Sequence, residues 1–114
     1  MKNTKIYLYL WRLFCVLAAS VAIALFWRNT LLISILLLVL ACLINIKSSK
    51  LEIFFYIIVA IVATLVESVA MSTGAWVYVN QDVLNFPFWL PLYWGMGGIV
   101  MKDLYLVITQ SLKK

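Results

Sequence analysis

The sequence predicts an all-α, polytopic integral membrane protein built as a four-helix transmembrane bundle, and three observations carry this prediction. Of the 114 residues, 67% are hydrophobic and 11% are charged, which lies well outside the range of soluble proteins. The apolar residues form long runs, and a helix that rises ~1.5 Å per residue crosses a ~30 Å hydrocarbon core in about 20 residues. Basic residues lie singly or in pairs between the runs and form no stripe, so they indicate membrane topology and not nucleic acid binding.

The apolar runs define one domain, residues 1–114, with predicted helices at about 6–27, 31–46, 51–71 and 87–109. The first run contains Arg12 and is too long for the core of a cleaved signal peptide, so we expect the chain to keep it. The connections between the first three runs are only three or four residues long, which predicts antiparallel neighbours. The fourth run begins with Pro87, which suits a first helical turn, and Pro91 follows one turn later.

Basic residues are divided unequally between the two ends of the predicted helices. Arg28 lies on one side, whereas six lysines lie on the other: Lys2, Lys5, Lys47, Lys50, Lys113 and Lys114. Because segments rich in Lys and Arg stay in the cytoplasm, this asymmetry predicts that both termini are cytoplasmic. We therefore expect a multi-pass protein of an inner, cytoplasmic membrane, in contact with membrane lipids.

Small residues recur at every fourth position of the third predicted helix, at Ala60, Thr64, Ser68 and Ser72. Residues at this spacing share one face, along which another helix can approach closely. Four short helices enclose a limited interior, so a second copy of the chain or a partner membrane subunit would help to complete any pocket. We accordingly expect a homo-oligomer or a larger membrane assembly.

Arg12 lies about two turns in from the cytoplasmic end of the first predicted span, and Lys102 and Asp103 lie at a similar depth in the fourth. A charge at membrane depth costs ~2.5–3.5 kcal/mol on insertion scales, so it needs a partner or a route to water. One hypothesis pairs Arg12 with Asp103 as a structural ion pair and lets Lys102 extend to the lipid headgroups. The alternative is that all three side chains extend to the headgroups separately.

Glu67 lies near the outer end of the third predicted helix, where Arg28 is the cation at the same level. A structural interpretation pairs Glu67 with Arg28 or gives it hydrogen bonds with Tyr78 or Ser72. A functional interpretation makes Glu67 a catalytic acid or a polar anchor for a substrate beneath an aromatic cover, with Arg28 as a candidate contact for that substrate or lipid.

A wider pattern surrounds Glu67. It continues with Thr73-Gly74, Trp76-x-Tyr78, Pro87, Pro91 and Trp94. This pattern resembles that of the carotenoid hydratase and lycopene cyclase-like membrane proteins, in which a Glu precedes a Thr-Gly-containing aromatic segment and a Pro-rich start to the next helix. The resemblance implies an all-helical membrane fold that acts on a long isoprenoid, with Glu67 as the acid that protonates a double bond. It also implies that Trp76, Tyr78 and Trp94 are pocket walls whose aromatic faces stabilise a carbocation.

The resemblance covers residues 67–94 of the chain. The cyclases of that group have a Pro-x-Glu-Glu acidic pair, which has no counterpart here, because Pro87 is followed by Phe-Trp and Pro91 by Leu-Tyr. The sequence also has no histidine, and Cys15 and Cys42 both lie inside apolar runs, so we predict neither a metal site nor a cofactor.

Three functions stay open at this point. The first is an accessory or interaction subunit of a membrane assembly, since nothing in the sequence makes a complete active site. The second is a protein that binds an isoprenoid or another lipid, or a carotenoid-type enzyme that uses Glu67 as its acid. The third is a small proton-coupled transporter in which Glu67 carries the proton.

Overall fold

The computed structural model describes residues 2–78 and 81–112, and within these ranges the chain is all-α. Its four helices are α1 (Lys2–Phe26), α2 (Thr30–Ile44), α3 (Lys50–Met71) and α4 (Leu90–Leu112). The described residues include no β-strand, only an isolated bridge between Val83 and Phe86. The all-α prediction is confirmed. Lys113 and Lys114, on which the topology prediction partly rests, lie outside the described residues.

Two of the helices are long and apolar enough to cross a membrane, by length and composition. They are α1, from Lys5 to Phe26, and α3, from Lys50 to Met71. The helix α2 is apolar but has 15 residues.

Polar residues in the short connections determine where α2 and α3 begin. Asn29 caps α2, because its side chain accepts a hydrogen bond from the backbone N–H of Leu32 at 3.1 Å. Ser49 and Glu52 form a capping box at the start of α3, in which each side chain accepts a hydrogen bond from the other residue's backbone N–H. These bonds satisfy donors that a helix start otherwise leaves without partners.

The helix α4 begins at Leu90, three residues after the start that the sequence pattern predicts. The backbone N–H of Leu90 donates to the carbonyl of Pro87 at 3.2 Å, so a turn leads into the helix. Pro91 then occupies the first helical turn, where its missing N–H breaks no helical hydrogen bond.

The helix α4 is the central element, since it packs against α1, α2 and α3. The α1 backbone lies close to those of α2 and α4, whereas the α3 backbone lies close to that of α4 alone among the described helices and meets α1 through side chains. Consecutive helices therefore pair as α1 with α2 and as α3 with α4, whereas the α2 and α3 backbones stay apart within the described residues. Buried side chains of α2 recur at helical spacing on its inner face: Ile33, Leu37, Ala41 and Ile44.

The α3 and α4 backbones approach each other closely at two glycines. A Cβ atom at Gly95 would lie 2.5 Å from Cε1 of Tyr56, and one at Gly98 would lie 2.7 Å from Cγ1 of Val59. The phenol of Tyr56 also donates to the carbonyl of Leu92 at 2.6 Å, which holds its ring in place. Gly95 and Gly98 thus supply the room for this contact.

The molecule has two ends, which we name after one residue each. The Arg12 end comprises the N-terminal part of α1, the α2–α3 turn, the first turn of α3 and the C-terminal half of α4. The Glu67 end comprises the α1–α2 turn, the last turns of α3, the segment that follows it and the start of α4. Each end carries one cluster of polar side chains.

Candidate functional site

Glu67 is the acceptor for three aromatic donors at the Glu67 end. Its Oε1 atom accepts from the phenol of Tyr78 at 2.5 Å and from Nε1 of Trp76 at 3.3 Å. Its Oε2 atom accepts from Nε1 of Trp94 at 2.5 Å. The three aromatic residues that the sequence analysis selected therefore all contact Glu67, through their polar edges. Both carboxylate oxygens serve as acceptors in this arrangement.

The phenol of Tyr78 is held in its protonated form. Burial, together with the neighbouring Glu67 carboxylate, raises the pKa of Tyr78 above its ordinary value. The phenol is therefore the donor and the carboxylate the acceptor in their hydrogen bond. Tyr78 follows α3, Glu67 lies on α3 and Trp94 lies on α4, so this contact ties the segment after α3 to both helices.

The segment between α3 and α4 is fixed to the helices by further hydrogen bonds. Gly74, whose φ of +84° favours glycine, lets the chain turn at the end of α3. Asn85 then exchanges two bonds with Ser68 of α3: its Nδ2 donates to the carbonyl at 3.0 Å, and its Oδ1 accepts from the hydroxyl at 2.6 Å. Asp82 accepts from the hydroxyl of Thr30, at the start of α2, at 2.7 Å.

A cavity of about 290 Å³ adjoins the Glu67 cluster. Two of the residues bonded to Glu67, Tyr78 and Trp94, form part of its wall. The remaining lining residues come from α1, from α4 and from the turn before α4: Val16, Ser20, Ile23, Trp89, Leu90, Tyr93 and Gly97. The cavity is therefore mostly apolar and aromatic, with a few hydroxyl and indole groups, as is usual for a small-molecule site.

The aromatic residues of this wall also contact one another. The ring of Trp89 meets Tyr78 and Tyr93 edge to face, with centroid separations of 5.9 and 6.3 Å. The phenol of Tyr93 and the hydroxyl of Ser20 on α1 are 2.6 Å apart, and Ser20 donates to the carbonyl of Val16. These contacts join α1 and α4 across the cavity and hold its wall in one arrangement.

Arg28 lies apart from this cluster. Its guanidinium carbon is 5.0 Å from the ring centroid of Trp27, and the described residues include no ion pair between Arg28 and Glu67. Ser72, the other candidate partner of Glu67, donates instead to the carbonyl of Val69. Of the alternatives that the sequence left open, the structure therefore contains the hydrogen bond to Tyr78.

The second cluster lies at the Arg12 end and joins two cations to two carboxylates. Nη1 of Arg12 lies 2.9 Å from Oδ1 of Asp103 and 2.9 Å from Oε2 of Glu52. Lys102 bonds to the same Glu52 oxygen, and its Nζ lies 3.1 Å from Oδ1 of Asp103. Nη2 of Arg12 donates to the hydroxyl of Ser48 at 3.0 Å. We call Arg12, Glu52, Lys102 and Asp103 the charge quartet.

The charge quartet contains the predicted pair and one residue, Glu52, that was not predicted. Arg12 and Asp103 face each other, but Lys102, expected to extend alone to the headgroups, bonds to Glu52 and Asp103. The expectation for Lys102 was wrong because Glu52, in the first turn of α3, lies at the same level. Glu52 could have been identified as a partner of these cations, because the Ser49-x-x-Glu52 capping box marks the start of α3 and puts Glu52 at the level of Arg12.

Comparison of the chain with protein-family models, with curated proteins and with solved structures gives no match. The resemblance to the carotenoid hydratase and lycopene cyclase-like proteins therefore stays a prediction.

Proposed function

We propose that this protein is a multi-pass membrane protein that binds a lipophilic ligand in the cavity at the Glu67 end. One observation carries the proposal: the aromatic wall of that cavity is held by the carboxylate of Glu67, to which Tyr78 and Trp94 both donate. A carboxylate that orients two wall residues supports a preformed pocket, and a preformed pocket lowers the entropic cost of binding.

The charge distribution supports insertion of the whole four-helix unit in a bilayer. The helix α3 has no charged residue between Glu52 and Glu67, and α1 has none between Arg12 and its end at Phe26. At ~1.5 Å per residue, the interval in α3 is about 22 Å long. The charges that lie below it are neutralised in the charge quartet, as charges at membrane depth need to be.

The exposed surface supports the same proposal. The face of α3 that does not meet α4 consists of large apolar side chains, including Phe54, Ile58, Ile61, Leu65 and Val69. Soluble monomers rarely expose a contiguous apolar patch larger than a few hundred Å². In the proposed arrangement lipid covers this face, and the lysine-rich Arg12 end faces the cytoplasm of an inner membrane.

The lining chemistry favours an elongated apolar ligand such as an isoprenoid or a lipid chain. The cavity of about 290 Å³ is close to the lower limit for small-molecule sites, so it suits one segment of a longer molecule. Glu67 serves here as a positioning residue, since both of its oxygens accept hydrogen bonds from the protein. A catalytic role for Glu67 as an acid, or a role as a proton carrier, stays a prediction.

Filling the cavity tests the proposal. A Cβ atom at Gly97 meets no other atom within 4 Å, and Gly97 lines the cavity, so Gly97→Leu adds a side chain that takes up space in the cavity. Val107→Leu is the matched control, because Val107 is an exposed residue of the same helix. We expect native mass spectrometry in mild detergent to detect a defined lipophilic ligand on wild type and Val107→Leu, and not on Gly97→Leu.

The same measurement separates the other hypotheses. Wild-type protein that carries no defined ligand, or a ligand retained in Gly97→Leu, would refute the proposal. A protein subunit that co-purifies at fixed stoichiometry with all three forms would instead support the accessory-subunit hypothesis of the sequence analysis.

A further inference from the structure

A second groove lies at the Arg12 end, on the opposite side of the molecule's length from the Glu67 cavity. Its volume is about 360 Å³, and it lies between the N-terminal part of α1 and the turn after α2. Its lining residues are Lys5, Tyr7, Leu8, Trp11, Ile46 and Lys47. Two cations therefore share a groove whose other walls are aromatic and aliphatic.

No acidic side chain of this chain is available to neutralise these lysines. The sequence has four acidic residues, and Glu52 and Asp103 are bound to Arg12 and Lys102 in the charge quartet. The other two, Glu67 and Asp82, lie at the Glu67 end. Accordingly, neither Lys5 nor Lys47 forms an ion pair among the described residues. Both ammonium groups are therefore available to an anion from another molecule.

We propose that this groove binds the phosphate headgroup of a membrane phospholipid, with Lys5 and Lys47 at the phosphate and the acyl chain along the apolar wall. The shape of the groove matches such a ligand, because charged and aliphatic residues line it together. Anionic lipids of the cytoplasmic leaflet attract basic residues near the membrane surface. Tyr and Trp are enriched at the level of the headgroups in membrane proteins, and Tyr7 and Trp11 line this groove.

The wall of the groove is held in place by the protein itself. Nε1 of Trp11 donates to the carbonyl of Leu43 at 3.0 Å, which fixes the indole against α2. The ring of Phe14 stacks on Trp11 at a centroid separation of 6.3 Å. The indole donor is thus already used, so the polar groups left to recognise the headgroup are the ammonium groups of Lys5 and Lys47 and the phenol of Tyr7.

The test compares lysines inside and outside the groove. Lys5→Gln and Lys47→Gln each remove one charge from the groove, whereas Lys50→Gln removes the same charge at the same end of the molecule from a residue that does not line it. All three side chains are exposed, so the helices should form in each variant. Binding of added phosphatidylglycerol to the detergent-purified protein is measured by native mass spectrometry, with phosphatidylcholine and inorganic phosphate as comparison ligands.

We expect phosphatidylglycerol to bind wild type and Lys50→Gln with equal affinity, and each groove variant to lose about fivefold in affinity. Equal affinity of all four proteins would overturn the proposal. Inorganic phosphate that binds as tightly as the lipid would overturn it too, because the acyl chain would then contribute nothing. The inference depends on membrane insertion but not on the Glu67 cavity. Gly97→Leu should therefore leave phosphatidylglycerol binding unchanged, and either proposal can fail alone.

Discussion

Arg12 and Asp103 lie 91 positions apart in the sequence, and their side chains are bonded at 2.9 Å, both buried. The contact joins the first helix to the last. Glu52 on α3 and the hydroxyl of Ser48 in the α2–α3 turn bond to the same guanidinium. A single arginine therefore contacts groups from every other part of the Arg12 end.

Removing one member of the charge quartet should destabilise the protein strongly. The variant Asp103→Leu leaves two cations of the quartet with one carboxylate, that of Glu52. The variant Arg12→Met leaves two carboxylates with one cation, Lys102. Breaking a buried pair from one side typically costs about 3–5 kcal/mol. We expect each single variant to lose about that much in free energy of unfolding, measured by denaturant titration in detergent.

The double variant Arg12→Met with Asp103→Leu supplies the control for this experiment. It removes one cation and one anion together and leaves Lys102 bonded to Glu52, so the remaining charges are balanced. We expect it to be more stable than either single variant. Additive losses in the double variant would contradict the account of the quartet as a balanced unit.

A methyl group at Gly95 should disrupt the contact between α3 and α4. The added Cβ would lie 2.5 Å from the ring of Tyr56, which cannot withdraw because it is buried and bonded to Leu92. Overpacking of this kind costs about 1–3 kcal/mol. We expect Gly95→Ala to lower the unfolding temperature.

Gly97 provides the matched comparison two residues away. A Cβ atom there meets nothing within 4 Å, and alanine favours the helix over glycine by about 0.8–1.0 kcal/mol. Gly97→Ala should therefore keep or raise the unfolding temperature. If Gly95→Ala and Gly97→Ala shifted it equally, the close contact at Gly95 would not limit helix packing.

Replacing Glu67 by glutamine should loosen the aromatic wall of the cavity. The amide keeps one acceptor oxygen, but an NH₂ group replaces the other. That NH₂ group faces a donor: Trp94 if it replaces Oε2, or Trp76 and Tyr78 if it replaces Oε1. Trp76 and Trp94 are exposed and Tyr78 is half-buried, so the lost hydrogen bond should cost about 0.5–1.5 kcal/mol. We expect a loss of stability of that size and a weaker near-ultraviolet circular dichroism signal from the tryptophans.

A double-variant cycle checks the cause of that loss. Trp94→Phe removes one of the donors that face position 67 but keeps an aromatic ring in the wall. In the background of Trp94→Phe, the Glu67→Gln change should cost measurably less than it does alone. If Glu67→Gln cost the same stability in both backgrounds, the hydrogen bond from Trp94 to the carboxylate would not be the cause of the loss.

The segment between α3 and α4 should depend on Asn85. Its two hydrogen bonds with Ser68 hold the tight turn in which Val83 and Phe86 exchange backbone bonds at 3.0 and 2.9 Å. We expect Asn85→Ala to speed hydrogen exchange at the amides of Val83 and Phe86. Gln81→Ala, which truncates an exposed amide of the same segment, should leave both rates near those of wild type.

Some of these features were predictable from the sequence and others were not. Four helices follow from four apolar runs, and the level of Arg12 along α1 already suggested Asp103 as a partner. The part played by Glu52 was not predicted, because its capping role is local while its bonds to Arg12 and Lys102 depend on how α3 is rotated. The pattern around Glu67 predicted that Trp76, Tyr78 and Trp94 belong to the same site. It did not predict that their N–H and O–H groups donate to the carboxylate.

The sequence by itself determined the helical class, the approximate helix bounds and the unequal distribution of charge, since each depends on residues close together in the chain. Only the tertiary structure decided that α4 is central and that, among the described helices, the α3 backbone lies close to that of α4 alone. Hydropathy describes how much of a helix is apolar but not which neighbour its apolar face meets. That choice depends on close approach at Gly95 and Gly98 and on hydrogen bonds between distant residues, which exist only once the helices are assembled.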